Sequence, residues 1–118
     1  MNKTLLVVED DEDLRELMCR ALEREGYRVA TASDGEEALS VLAGLGGSPC
    51  LVVLDLVMSG MNGWDFFSAL KANPALRDVP IVIHSSVPND APDGASKVLQ
   101  KPFGIDRLIA VVNEYCHL

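Results

Sequence analysis

The chain has 118 residues, of which 48% are hydrophobic and 24% charged, and its formal net charge is −8. That size suits one domain over residues 1–118 with one core, and no composition shift marks a linker. The acidic balance excludes binding to nucleic-acid backbone by electrostatics, and no apolar run approaches the length of a membrane span.

Met1–Asn2–Lys3–Thr4 leads directly into an apolar run with no signal-cleavage pattern. Cys19, Cys50 and Cys116 are odd in number and lack C-x-x-C spacing. They are expected to be reduced thiols of a cytosolic protein, and structural zinc is not expected.

Lys3–Val8 is rich in Leu and β-branched residues and reads as a first strand. It ends in the acidic cluster Glu9–Asp10–Asp11–Glu12–Asp13. Leu14, Leu17, Met18, Ala21 and Leu22 then recur at helical spacing and predict a helix from about Asp11 to Glu25, stopped by Gly26. Acids in its first turn suit the helix dipole, and Asp11 or Asp13 suits the N-cap. Tyr27–Ala32 reads as an edge strand. Ser33–Asp34–Gly35 opens a second helix to about Ala43, and the Gly-rich stretch to Pro49 is a loop.

Leu51–Leu54 is a continuous apolar run ending at Asp55. It suits a strand buried on both faces. An ionised Asp is rarely buried without a partner, so Asp55 belongs at the strand's C-terminal end, the edge where open parallel sheets bind ligands. Taken alone, a turn or helix cap accounts for Asp55 equally well. A third helix runs from about Gly63 to Ala72, with Phe67 and Leu70 inward, and ends before Pro74. Trp64 and Phe66 are expected to pack rather than to mark a partner surface. Pro80–His84 and Lys97–Gln100 read as the last two strands. A final helix carries its apolar stripe on Ile105, Leu108, Ile109, Val112 and Tyr115.

Strands and helices alternate, which predicts an α/β fold: a doubly wound, five-stranded parallel sheet with helices on both faces. Right-handed crossovers favour the flavodoxin-like strand order 2-1-3-4-5. That order brings Glu9, Asp10 and Asp55 together at the ends of the first and third strands. Crowded carboxylates resist ionising, and a hard dication such as Mg²⁺ relieves them. Ser85 and Lys101, at the ends of the fourth and fifth strands, add a hydroxyl and an ammonium. Together these groups suit phosphoryl transfer to a carboxylate. Strand alternation sends His84 to the face opposite Ser85, so His84 is expected to be structural. His117 is expected to be solvated.

Four stretches in this order resemble the receiver domain of response regulators in two-component signalling: Leu5–Arg15, Leu51–Gly63, Val79–Ser86 and Gly94–Phe103. The resemblance covers the whole chain. It implies that Asp55 is the phospho-acceptor, fed by a sensor histidine kinase or a phosphotransfer protein. Glu9 and Asp10 resemble the pair that binds Mg²⁺, with the backbone carbonyl of Val57 as a further ligand. Ser85 and Lys101 resemble the residues that contact the attached phosphoryl group. Lys101–Pro102 matches a bond that is usually cis in that family. The resemblance also implies a cytoplasmic protein that is not an enzyme in the ordinary sense but dephosphorylates itself slowly. It would signal to a downstream protein by contact, or pass phosphate on.

The chain departs from the family between the last two strands. Only Val87–Asp93 separates Ser86 from Gly94–Ala95, roughly six residues short of a full helix and its connections. Pro88 and Pro92 further oppose a helix there. The helix before the last strand is expected to be absent or one turn long. Val98 stands where the family often has an aromatic residue, and Ser59 where it often has Pro. The usual coupling from phosphate to output face cannot run through Val98. Output is expected to use the first helix and the loops around the site, or a rebuilt face of the last helix. Val57 and Val87 flank the expected path of the hydrolytic water and cannot orient it, so a long-lived phosphorylated state is expected. The alternative is a phosphorylation-independent protein-binding module that keeps the receiver fold.

Overall fold

Leu5–Val8, Leu51–Leu54 and Ile81–Ile83 are apolar at every position, and no surface element can satisfy such a run. In the computed structural model, which describes residues 4–58 and 60–116, all three lie in the middle of a sheet and are buried throughout. Expectations for Lys3, Ser59 and His117 lie outside the described residues. The elements are β1 (Thr4–Val8), α1 (Glu12–Arg24), β2 (Arg28–Ala32), α2 (Gly35–Gly44), β3 (Leu51–Asp55), α3 (Gly63–Ala72), β4 (Ile81–Ser85), β5 (Lys97–Gln100) and α4 (Ile105–Tyr115). The strands form one parallel sheet in the order β2-β1-β3-β4-β5, as the alternation predicted. Among the described residues no helix is long and apolar enough to cross a membrane.

Register determines which residues share a face. Leu6, Val8, Val52, Leu54, Ile81 and Ile83 face α2 and α3, where Ala38, Leu42, Phe66, Phe67 and Leu70 pack on them. Leu5, Val7, Leu51, Val53, Val82 and Leu99 face α1 and α4, which contribute Met18, Leu22, Leu108, Val111 and Val112. Phe66 is fully buried, and truncating such a side chain to Ala costs about 3–5 kcal/mol. Leu17, expected on the buried stripe of α1, is instead 52% exposed.

The helices start where their caps allow. Asp11, Asp34 and Asn62 each accept a backbone N–H from the first turn of α1, α2 and α3. At Gly63 a Cβ would stand 2.3 Å from the Asp55 carbonyl oxygen. Only glycine lets α3 begin this close to the end of β3. The segment before β5 holds one 3₁₀ turn, Pro88–Asp90, in place of a helix. Trp64 donates its indole N–H to the Asp90 carbonyl at 2.8 Å and fastens that turn to α3.

The cysteine expectation is corrected. Cys50 and Cys116 form a disulfide, with Cα atoms 5.7 Å apart, and only Cys19 is a free thiol. The pair is 66 residues apart in sequence, so local spacing held no trace of it. Packing of α4 beside the start of β3 brings the two together. The cysteines therefore no longer support a reducing compartment.

Candidate functional site

Parallel register brings three polar residues to one face at the C-terminal edge of the sheet. Val8 pairs with Leu54 and Asp55 with His84, so Glu9, Asp55 and His84 follow one another across β1, β3 and β4. All three are buried. Lys101 follows β5 with the same parity as Leu99 and completes the row.

Lys101 Nζ donates to Glu9 Oε1 at 2.8 Å and lies 3.3 Å from Asp55 Oδ2. The other Glu9 carboxylate oxygen accepts the Asp11 N–H at 2.9 Å, and Arg15 donates to the Glu9 carbonyl at 2.9 Å. Asp55 Oδ1 accepts the Val57 N–H at 3.3 Å, so the turn after β3 fixes the carboxylate. Asp10 is exposed beside Glu9. The Lys101–Pro102 bond is cis.

Ser85 is at the same edge but has the opposite parity to Asp55. Its hydroxyl accepts the Val87 N–H at 3.0 Å. Its carbonyl accepts the Lys101 N–H at 2.8 Å, which joins β4 to the Lys101 turn. Val57 and Val87, whose N–H groups donate to Asp55 and Ser85, are 55% and 39% exposed.

Burial pushes the Glu9 carboxyl above its ordinary range, and the Asp55 charge adds to this, while Lys101 and the Asp11 N–H oppose it. Burial likewise raises Asp55, against the pull of Lys101 and the Val57 N–H. For Lys101, burial acts downward, but the hydrogen bond to Glu9 and the charges of Asp55 and Glu9 prevail and raise it. These directions describe two carboxylates served by one ammonium, a site short of positive charge.

His84 stands nearer Asp55 than the reading of its own strand implied. Alternation does oppose it to Ser85, but the residue it aligns with is Asp55. Its Nδ1 lies 3.6 Å from Glu9 Oε1, and its ring meets Phe103 edge to face at 5.7 Å. Among the described residues neither ring nitrogen makes a hydrogen bond of good geometry, although the Val8 carbonyl lies near enough to act on the ring. Burial, reinforced by the Lys101 charge, lowers its pKa to about 3, with the Val8 carbonyl acting the other way. The available signal was parity with Asp55, which depends on pairing register and not on the order of residues in one strand.

Comparison with known proteins agrees with this geometry. The family model described as response regulator receiver domain matches residues 5–113. The chain is 37% identical to the DNA-binding response regulator MtrA of Mycobacterium tuberculosis over 119 aligned residues, covering 95% of this chain and 50% of that protein. It is 31% identical to the phosphate regulon transcriptional regulatory protein PhoB of Escherichia coli, covering 93% of this chain and 50% of the relative. The chain thus spans about half the length of the curated relatives it matches. A putative response regulator from Chloroflexus aurantiacus superposes with a TM-score of 0.88 at 27% identity, covering 98% of each chain. The chemotaxis protein CheY4 of Vibrio cholerae gives 0.85 at 25% identity, covering 98% of this chain and 99% of the other.

Proposed function

This chain belongs to the response-regulator receiver family, and from that premise we propose that it accepts a phosphoryl group on Asp55 from the phosphohistidine of a sensor kinase or phosphotransfer protein. The observation that carries this reading is the setting of the Asp55 carboxylate. One oxygen rests on the Val57 N–H and the other faces the Lys101 ammonium, at the open end of β3.

In the transfer, an Asp55 oxygen forms a bond to phosphorus as the donor's P–N bond breaks. The electron pair returns to the donor imidazole nitrogen, and Asp55 becomes an acyl phosphate. Lys101 then pairs with a phosphoryl oxygen, which takes it from the carboxylates it now serves. Ser85 stabilises the new group once its hydroxyl turns from the Val87 N–H.

The donor set fits a dication. Two buried carboxylates converge on one ammonium, which leaves that pair undercompensated, and Asp10 lies exposed beside Glu9. Glu9, Asp10, Asp55 and the Val57 carbonyl would hold Mg²⁺, which supplies charge neutralisation for the transferring group. Between transfers the chain works as a switch with slow self-dephosphorylation rather than as a turnover enzyme. Its output passes through protein contacts.

The test is intact-mass analysis after incubation with a charged phosphotransfer protein and Mg²⁺. One phosphoryl adduct is expected, absent from Asp55→Asn and lost on adding chelator beforehand. An unmodified wild-type chain beside a working control receiver would instead support the phosphorylation-independent binding module.

A further inference from the structure

We propose that His84 Nδ1 is a ligand of the cation bound by Glu9 and Asp55, so that this site selects a first-row transition-metal dication of the Mn²⁺, Co²⁺ and Zn²⁺ class over Mg²⁺. The inference rests on the reading of Glu9 and Asp55 as cation ligands and adds to it a nitrogen donor and a metal preference.

Three observations carry it. One ligand atom from each of Glu9, Asp55 and His84 lies within 4.8 Å of the other two. Nδ1 of His84 is 3.6 Å from Glu9 Oε1. That is too long for a hydrogen bond, but close to the spacing of two ligands on one ion: bonds of about 2.1 Å place neighbouring ligands about 3.0–3.4 Å apart. Finally, among the described residues neither nitrogen of the fully buried imidazole makes a hydrogen bond of good geometry, and the Val8 carbonyl is the only backbone group that acts on the ring. A buried polar ring without a partner is costly, and a native one calls for an unseen partner. Phe103 packs edge-on against the ring and holds it in place.

The chemistry of the donor set determines the metal. Carboxylate oxygens alone suit Mg²⁺, which rarely takes nitrogen. Imidazole with carboxylates suits Mn²⁺ through Zn²⁺, with affinity rising from Mn²⁺ to Cu²⁺ and falling at Zn²⁺. Lys101 now neutralises the same two carboxylates. A dication replaces it there, and the Lys101 side chain, 24% exposed, withdraws toward the solvent edge.

Co²⁺ is the probe, added to the whole chain. In proton NMR of the wild type, a paramagnetically shifted imidazole resonance from His84 is expected, and its absence at saturating Co²⁺ would overturn the proposal. Calorimetry of Co²⁺ and Mg²⁺ gives an affinity ratio. In His84→Leu, and separately in His84→Gln should one variant fold poorly, that ratio is expected to fall at least about tenfold. An unchanged ratio would overturn the proposal. If Mg²⁺ and beryllofluoride still bind the wild type while the His84 signature is missing, this inference fails and the receiver reading stands. If no dication and no beryllofluoride bind, both fail.

Discussion

Lys101 Nζ bonds Glu9 Oε1 at 2.8 Å across 92 residues of sequence, and the same ammonium lies 3.3 Å from Asp55 Oδ2. One positive charge therefore serves two buried carboxylates. Removing one negative charge should relieve the pair. Asp55→Asn keeps an oxygen for the Val57 N–H, and it is expected to stabilise the metal-free chain and raise its Tm by a few degrees. Thermal unfolding in chelator checks this, and a lower Tm in the variant would contradict it. Both acids are raised by burial, so just above their ordinary range the folded state binds more protons than the unfolded one. Their contribution to stability falls as pH rises through that window.

His84 acts in the opposite direction. Its pKa falls from 6.5 unfolded to about 3 folded. Between those values the unfolded chain binds a proton that the folded chain refuses, so stability is lost as pH falls below 6.5. From pH 7 to pH 5 the His84 contribution is expected to cost about 2 kcal/mol. Urea unfolding of wild type and His84→Leu, compared at the two pH values, isolates this from the carboxylates. Equal pH dependence in the two proteins would show that His84 does not titrate differently on folding.

The Cys50–Cys116 bond ties α4 to the start of β3. Protein isolated without reductant and then denatured should react with a thiol reagent at Cys19 alone, and at Cys19, Cys50 and Cys116 after reduction. Reduction is expected to lower stability by about 2–4 kcal/mol, given the length of the closed loop. Labelling of all three without reduction would contradict the linkage.

Val57 and Val87 follow Asp55 and Ser85 by two residues, are exposed, and have side chains that cannot hydrogen-bond a water. The phosphorylated chain is expected to be long-lived. Val57→Asn combined with Val87→Glu should shorten its half-life by about tenfold or more, since a placed polar group supplies rate enhancements of that order or greater. Decay of the phosphoryl adduct followed by mass measures this, and an unchanged half-life would contradict it.

The sheet was legible because Leu5–Val8, Leu51–Leu54 and Ile81–Ile83 have no reading other than central strands, and their spacing leaves room only for crossover helices. Gly63–Ala72 and Lys97–Gln100 fell at the observed limits because Asn62, Pro74 and the flanking polar segments punctuate them. Pro88 and Pro92 made the missing helix visible. The site acids and Lys101 were legible as strand-end charges, which topology alone collects. Two features were not. His84 joins the site by the register between β3 and β4, and Cys50 meets Cys116 by the packing of α4. Both are relationships between distant segments, and neither leaves a mark within one segment.

The central claim is that Asp55 is a working acceptor, and calorimetry with beryllofluoride, a phosphoryl mimic, tests it most directly. With a dication present, wild type is expected to bind one equivalent saturably, while Asp55→Asn and chelated wild type bind none. Trp64 fluorescence, read in the same titration, reports on α3 beside the Asp55 turn. No heat of binding in the folded wild type, or equal binding by Asp55→Asn, would contradict the account.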